Sequence, residues 1–103
     1  MRYGVVLAPE AAKAFRSLPA YHRAEVRDAL ERHLRDQPTR VSKSRIKRLR
    51  GLSQPQYRFR VGEVRVFYDV TRQAVEVLAI VTKAEATGWL AEHGTPGASG
   101  GAG

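Results

Sequence analysis

Residues 57–70, YRFRVGEVRVFYDV, constrain the fold more than any other part of the sequence. Apolar and polar residues alternate on both sides of the dipeptide Gly62-Glu63, as they do along half-buried strands. A two-residue loop with glycine in its first position favours a type II′ turn between antiparallel strands. The segment therefore predicts a β-hairpin, and this loop sets its register.

The predicted register sorts the hairpin side chains onto two faces, because residues alternate along a strand and opposed residues share a face. One face is apolar and is expected in the core: Tyr57, Phe59, Val61, Val64, Val66 and Tyr68. The other carries three arginines and one aromatic ring: Arg58, Arg60, Arg65 and Phe67. Arg60 lies opposite Arg65, and directly opposed like charges cost stability. We interpret this face as a polyanion site where Phe67 can stack on a base. Alternatively, the arginines extend into solvent or pair with Glu76 or Asp69.

The positive charge of the chain is concentrated in one stretch. Lys and Arg number 18 and Asp and Glu number 10, which gives a net charge of +8. Residues 40–72 hold ten of the bases and two of the acids, so the remainder is neutral. A localised excess is the electrostatic footprint of a phosphate-binding surface. A solubilising basic face, or a surface for an acidic protein, fits the same distribution.

Hydrophobic periodicity and turn residues place the other elements around the hairpin. Pro9 suits the first turn of a helix, and Pro19 and Pro38 end the two helices of a helical hairpin. We predict a largely buried strand at 3–8, helices at 9–18 and 20–36, an irregular strand at 45–50, strands at 57–61, 64–70 and 74–81, and a helix at 83–92. This order predicts an α+β fold with an N-terminal strand, a helical hairpin packed on an antiparallel sheet of three to four strands, and a short C-terminal helix.

Composition limits the class of protein. Residues 1–93 are expected to form one domain, and residues 94–103, GTPGASGGAG, a disordered tail without an apolar anchor. No apolar run approaches the about 18 residues of a membrane span, and no signal peptide is apparent. The chain has no cysteine, and its three histidines lack metal-site spacing. We therefore expect a cytoplasmic protein without metal, cofactor or membrane contact.

Three stretches also point to a known family: KRLRG at 47–51, the hairpin at 57–70, and VEVLAIVTK at 75–83. Over residues 3–90 the chain resembles the RelE/ParE superfamily of toxins from bacterial type II toxin–antitoxin systems. The resemblance implies a small basic toxin that an acidic antitoxin holds inactive. RelE-type members cut mRNA in the ribosomal A site, whereas ParE-type members poison DNA gyrase.

The resemblance assigns roles to the hairpin arginines. It implies that Arg58 and Arg60 act on the RNA and that Arg65 clamps a phosphate. Two C-terminal positions depart from the RelE pattern. The arginine expected after the last strand falls at or beside Ala84, with Lys83 the nearest cation. The tyrosine or histidine expected in the last segment falls near Trp89 or Leu90, and neither is a tyrosine or a histidine.

The leading prediction is therefore a ribosome-dependent, metal-independent mRNA endonuclease, an mRNA interferase. Its predicted partners are an acidic antitoxin, the ribosome and mRNA. The predicted catalytic residues are Arg58, Arg60, Arg65 and Lys83, and the predicted RNA-binding residues are Lys47, Arg48, Arg50 and Phe67. Arginine stays protonated and makes a poor base, so the acid and base remain open between lysines in the cationic cluster and tyrosines. The alternatives are a ParE-like gyrase inhibitor without nuclease activity and a degenerate toxin fold that only binds nucleic acid.

Overall fold

The computed structural model describes residues 2–97, in which a helical hairpin packs on one face of a mixed sheet. The α+β fold is confirmed. Its elements are β1 Gly4–Leu7, α1 Pro9–Ser17, α2 Ala20–Ala29, β2 Ile46–Arg48, β3 Leu52–Gln54, β4 Tyr57–Val61, β5 Val64–Val70, β6 Ala74–Thr82, α3 Lys83–His93 and β7 Thr95–Pro96. Within these residues, no helix combines the length and the apolar character that crossing a membrane requires.

The main sheet is larger than predicted, with five strands in the order β1-β6-β5-β4-β2. The strands β6, β5, β4 and β2 pair antiparallel with their neighbours, whereas β1 lies parallel to β6. The expectation that β1 is largely buried is wrong, because β1 forms an edge of the sheet. Its residues alternate between exposed and half-buried, and Val6 is 55% exposed.

The hairpin of β4 and β5 has the predicted register, from Tyr57 opposite Tyr68 to Val61 opposite Val64. Gly62, the first residue of the turn, has a φ of 56°. Glu63, the second, has no positive φ, since no non-glycine residue among those described has one. A type II′ turn requires this combination. The Arg60 amide donates to the Arg45 carbonyl at 2.8 Å, on the side away from β5. Arg60 and Arg65 therefore form a non-hydrogen-bonded pair, the kind in which opposed side chains lie closest.

The apolar face of the hairpin lies under the helices as predicted, and all six of its side chains are buried. Val26, Leu30 and Leu34 extend this core from the second helix. That helix was predicted to run regularly to residue 36. Instead α2 ends at Ala29 and continues as one π-helical turn, Leu30–Leu34, whose two terminal leucines both remain buried. The widened turn follows this packing rather than any local signal in the sequence.

A second, two-stranded sheet ties the C-terminal end of α3 to the main sheet. Thr95–Pro96 pairs with β3, and the Gly97 amide donates to the Gly51 carbonyl at 2.9 Å. The predicted disordered tail therefore begins too early at residue 94; its residues 98–103 lie outside those described. At Gly94 a Cβ atom would lie 2.6 Å from the Leu90 carbonyl oxygen, so only glycine fits this close approach.

Candidate functional site

Four cations share the sheet face that points away from the helical hairpin, and we call them the arginine face: Lys47, Arg58, Arg60 and Arg65. The hairpin register puts the three arginines there, as predicted. Pairing of β2 with β4 places Lys47 directly opposite Arg58 and so on the same face. The face thus combines positions on three neighbouring strands.

The three arginines differ in exposure. Arg60 is exposed, Arg58 is half-buried, and Arg65 is only 6% exposed. The Nη1 of Arg65 donates to the carbonyl oxygens of Gly62 at 2.8 Å and Val64 at 3.1 Å. Arg65 is therefore anchored on the backbone of the turn, whereas Arg60 is free to reach a ligand.

The charge of these arginines is not neutralised by the protein. Within residues 2–97 none of the three forms an ion pair. The alternative that they pair with Glu76 or Asp69 is wrong, because neither carboxylate forms an ion pair within these residues. Asp69 instead accepts hydrogen bonds from the Gln54 side chain at 2.7 Å and the Gln56 amide at 2.8 Å. Burial, together with the charges of Arg60 and Arg58, lowers the pKa of Arg65. The Nε of Arg58 is buried and has no hydrogen-bond partner.

Phe67 is not available for a base, so the predicted stacking role is wrong. Phe67 is 0% exposed, and Trp89 stacks on it with ring centroids 5.0 Å apart and planes 8° apart. The start of α3 is held by a capping box between Thr82 and Glu85. The C-terminal helix therefore covers the aromatic part of this sheet face and leaves its charged part open.

Lys83 lies beside the hairpin turn. Its amide donates to the Glu63 carbonyl at 2.8 Å, which places the start of α3 at the same end of the sheet as Arg60 and Arg65. Lys83 and the neighbouring Ala84 are both exposed. The RelE resemblance implies a further arginine at or beside Ala84, and Lys83 is the nearest cation that the chain offers there.

The other predicted RNA-binding arginines lie elsewhere. Arg48 pairs with Tyr57 across the strands, so it lies on the core side of the sheet, with its guanidinium carbon 5.1 Å from the Tyr57 ring centroid. Arg50 is exposed in the bend before Gly51. The structure therefore groups Lys47 with the arginine face and separates Arg48 from it.

The tyrosines are poor candidates for proton transfer at this face. Tyr57 and Tyr68 both lie on the core side of the hairpin, with their ring centroids 5.3 Å apart and stacked. Burial, and to a lesser extent the neighbouring Tyr57, raises the pKa of Tyr68, whose hydroxyl donates to the Pro38 carbonyl at 2.6 Å. Tyr68 is thus committed to the core.

Comparison with known proteins adds the family. A family model described as "ParE toxin of type II toxin-antitoxin system, parDE" matches residues 5–87. The chain belongs to this toxin family. No curated protein matches the sequence.

Solved toxin structures share the fold. The RelBE2 toxin–antitoxin complex of Mycobacterium tuberculosis matches with 24% identity and a TM-score of 0.66, over 80% of this chain and 99% of that chain. The archaeal RelE–RelB complex of Pyrococcus horikoshii OT3 matches with 30% identity and a TM-score of 0.60, over 81% and 97%. The YoeB dimer of Staphylococcus aureus matches with 15% identity and a TM-score of 0.60, over 79% and 97%. The RelE/ParE resemblance of the sequence is confirmed.

On this toxin fold, the arginine face can bind a phosphate and stabilise negative charge that develops on it. Planar guanidinium groups bind phosphate through paired hydrogen bonds. Arg65, which its two hydrogen bonds to the turn backbone hold in place, needs little reorganisation when charge appears. The described residues hold no cluster of three or more acidic or histidine side chains suited to a metal ion. The face thus supplies cations.

Proposed function

We propose that this toxin is a ribosome-dependent mRNA endonuclease in which Arg58, Arg60 and Arg65 bind and stabilise the scissile phosphate. The observation that supports this proposal most is the buried, unpartnered Nε of Arg58 beside two further guanidinium groups. A buried donor without a partner costs about 1–3 kcal/mol, and more when it is charged. A phosphate bound beside Arg58 would offset the repulsion between the three charges and so lower the cost of holding this guanidinium partly buried.

The proposed chemistry needs no metal. The 2′-hydroxyl oxygen of the RNA attacks the adjacent phosphorus, and the bond from phosphorus to the 5′-oxygen breaks. A base takes the 2′-hydroxyl proton and an acid protonates the leaving 5′-oxygen. Arg60 reaches the phosphate from solvent, and Arg65 is held in place by the turn backbone. Arg58 lies on the strand of Arg60, opposite Lys47, so that all three arginines can stabilise the charge on its oxygens.

One lysine of the arginine face and one beside it complete the proposed site. Lys83 lies beside the turn and Lys47 opposite Arg58, so both are candidates for proton transfer. Arg48 and Arg50 extend the basic surface beyond the face and would contact RNA outside the cleaved nucleotide.

The proposed partners follow from charge and from the relatives. The net charge of +8, localised in residues 40–72, attracts an acidic protein as well as RNA. The M. tuberculosis and P. horikoshii structures are complexes of a toxin with its antitoxin. We propose that an acidic antitoxin covers the basic surface of this chain in the cytoplasm and that its release exposes the toxin to ribosomes.

Gyrase inhibition is a second candidate function. The matching family model describes a ParE toxin. The C-terminal positions Ala84 and Leu90 also lack the side chains that the RelE pattern places there. In this case the arginine face would bind a target protein or DNA and perform no chemistry.

Pulse labelling separates the two candidates. Cells that express this chain alone are labelled with a radioactive amino acid and with thymidine immediately after induction. The nuclease proposal expects translation to stop first and new mRNA 5′ ends to appear within ribosome-protected codons. Arg60→Gln should abolish both effects, whereas Arg72→Gln, an exposed turn arginine at the opposite end of the hairpin strands, should keep them. An earlier arrest of DNA synthesis would instead support gyrase. No arrest of either would contradict both and leave nucleic-acid binding alone.

A further inference from the structure

A second basic site lies at the C-terminal end of the second helix. The π-helical turn and the loop that follows it enclose a polar cleft of about 380 Å³, to which β2 adds its first residue. Its lining includes Arg32, Asp36, Arg40 and Arg45. The volume falls within the range of about 300–1,000 Å³ that small-molecule sites occupy. The cleft can therefore hold one nucleotide-sized group.

The cations of this cleft are only partly compensated. Arg32 pairs with Asp28 at 3.7 Å, and both side chains are largely exposed. Nη1 of Arg40 donates to the neutral side-chain oxygen of Gln37 at 2.9 Å. Arg45 makes no ion pair within the described part of the chain. Arg40 and Arg45 are therefore the charges that an anion in the cleft can engage.

Two negative contributions oppose an anion, and they are smaller than the positive ones. Asp36 is the one carboxylate among the residues that line the cleft. The C-terminal end of a helix adds the equivalent of about half a negative charge. With Arg32 assigned to Asp28, the positive charges of Arg40 and Arg45 still exceed these two negative contributions. The positive field also acts on His33. Burial lowers the pKa of this imidazole most, and the charges of Arg45 and Arg32 lower it further.

The cleft is continuous with the arginine face. The Arg45 carbonyl accepts the Arg60 amide at 2.8 Å, so the two residues are direct neighbours across the strand edge. A groove of about 230 Å³ on the helix side of β4 is lined in part by Arg32, Arg45 and Arg60, so Arg60 borders both this groove and the arginine face. Glu25 and Asp28 line the same groove and repel an anion on the helix side. A polyanion that leaves Arg60 is thus directed along Arg45 into the cleft.

We propose that this cleft is a phosphate-binding subsite in which Arg40 and Arg45 hold a backbone phosphate of the RNA strand that crosses the arginine face. This inference rests on the proposed function for the identity of the strand. Single-stranded RNA is favoured over an acidic peptide because the cations form a connected track, and phosphates recur along a strand at every nucleotide. The cleft would set the position of the strand without taking part in cleavage.

Fluorescence anisotropy with a labelled oligouridylate 12-mer tests the subsite without any cleavage step. The full chain is compared with Arg45→Gln and Arg40→Gln and with Arg72→Gln as a control of equal charge. All three positions are exposed, so the variants should fold, which circular dichroism verifies. Each cleft variant should bind about three- to tenfold more weakly at low salt. The slope of log K against log salt should fall by about 0.7 for each lost phosphate contact. Arg72→Gln should lose less RNA affinity and less of the salt slope than either cleft variant.

A local probe places the binding event. Ser42 Oγ accepts the amides of Arg45 and Ile46, both at 3.0 Å, so these amides report on the cleft. Inorganic pyrophosphate should shift their NMR signals in the unchanged chain and leave them in place in Arg45→Gln.

The outcomes separate this subsite from the proposed nuclease function. Equal RNA affinity and equal salt slope for Arg45→Gln and Arg72→Gln would overturn the subsite, even where Arg60→Gln abolishes mRNA cutting. Weaker RNA binding by Arg45→Gln would support the subsite even where cells show no mRNA cutting, which would overturn only the nuclease. Unchanged RNA binding with weaker binding of a polyglutamate peptide would overturn the RNA assignment and identify an acidic protein segment as the occupant.

Discussion

Arg60→Gln should remove toxicity while making the folded protein slightly more stable. Arg60 and Arg65 face each other in a non-hydrogen-bonded pair, and no carboxylate among residues 2–97 forms an ion pair with either. Two unit charges about 7 Å apart in a water-like dielectric repel by about 0.6 kcal/mol. Measured cross-strand pairs contribute about 0.2–1 kcal/mol. We therefore expect the free energy of unfolding to rise by about 0.5 kcal/mol.

Urea unfolding of the purified protein, followed by circular dichroism, measures this change at low salt and at about 1 M NaCl. The gain should shrink at high salt because the Debye length falls to about 3 Å. Arg72→Gln serves as the control, since its exposed side chain lies in the turn between β5 and β6. A loss of more than about 1 kcal/mol in Arg60→Gln would refute the reasoning. It would mean that Arg60 supports the fold and that lost toxicity reports unfolding.

Three further predictions test the packing around the site. Tyr68→Phe should lower the free energy of unfolding by about 1–3 kcal/mol in urea titrations, because it leaves the Pro38 carbonyl without its 2.6 Å hydrogen bond. Trp89→Ala should cost about 2 kcal/mol by uncovering Phe67, and Trp89→Phe, which can keep the stacking, should cost less in the same assay. The pKa of His33 is lowered in the folded state, so the unfolded chain binds its proton more readily as the pH falls through about 6.5 and below. The protein should lose stability between pH 7.5 and 5.5, and His33→Gln should lose less; equal losses would refute this assignment.

The hairpin was predictable because local residues determine it. Alternation sets the two faces, and Gly62 followed by Glu63 sets a two-residue turn with only one left-handed position. A slip of one residue would bury three arginines and expose the apolar face. The location of Arg58, Arg60 and Arg65 on one face therefore followed from the sequence alone.

The contacts made by α3 and by the C-terminal pairing were not predictable in this way. Trp89 covers Phe67 from 22 positions further along the chain, and β7 meets β3 across an interval of 42 to 43 positions. Each of these strands has only two or three residues, too few to show a period. The stacking role proposed for Phe67 failed because the register of a hairpin shows which face a ring lies on and not what covers that face.

The unfavourable charges of the arginine face lie on the hairpin, the best-packed part of the sheet. Arg65 is almost fully buried among like charges, and Arg58 has a buried donor without a partner. The same strands bury six apolar side chains on their other face and are held by a two-residue turn. This packing can offset the cost of the charges, so the cluster persists without an anion. A face that is costly when empty gains most when a phosphate binds, because only the bound state supplies the missing charge.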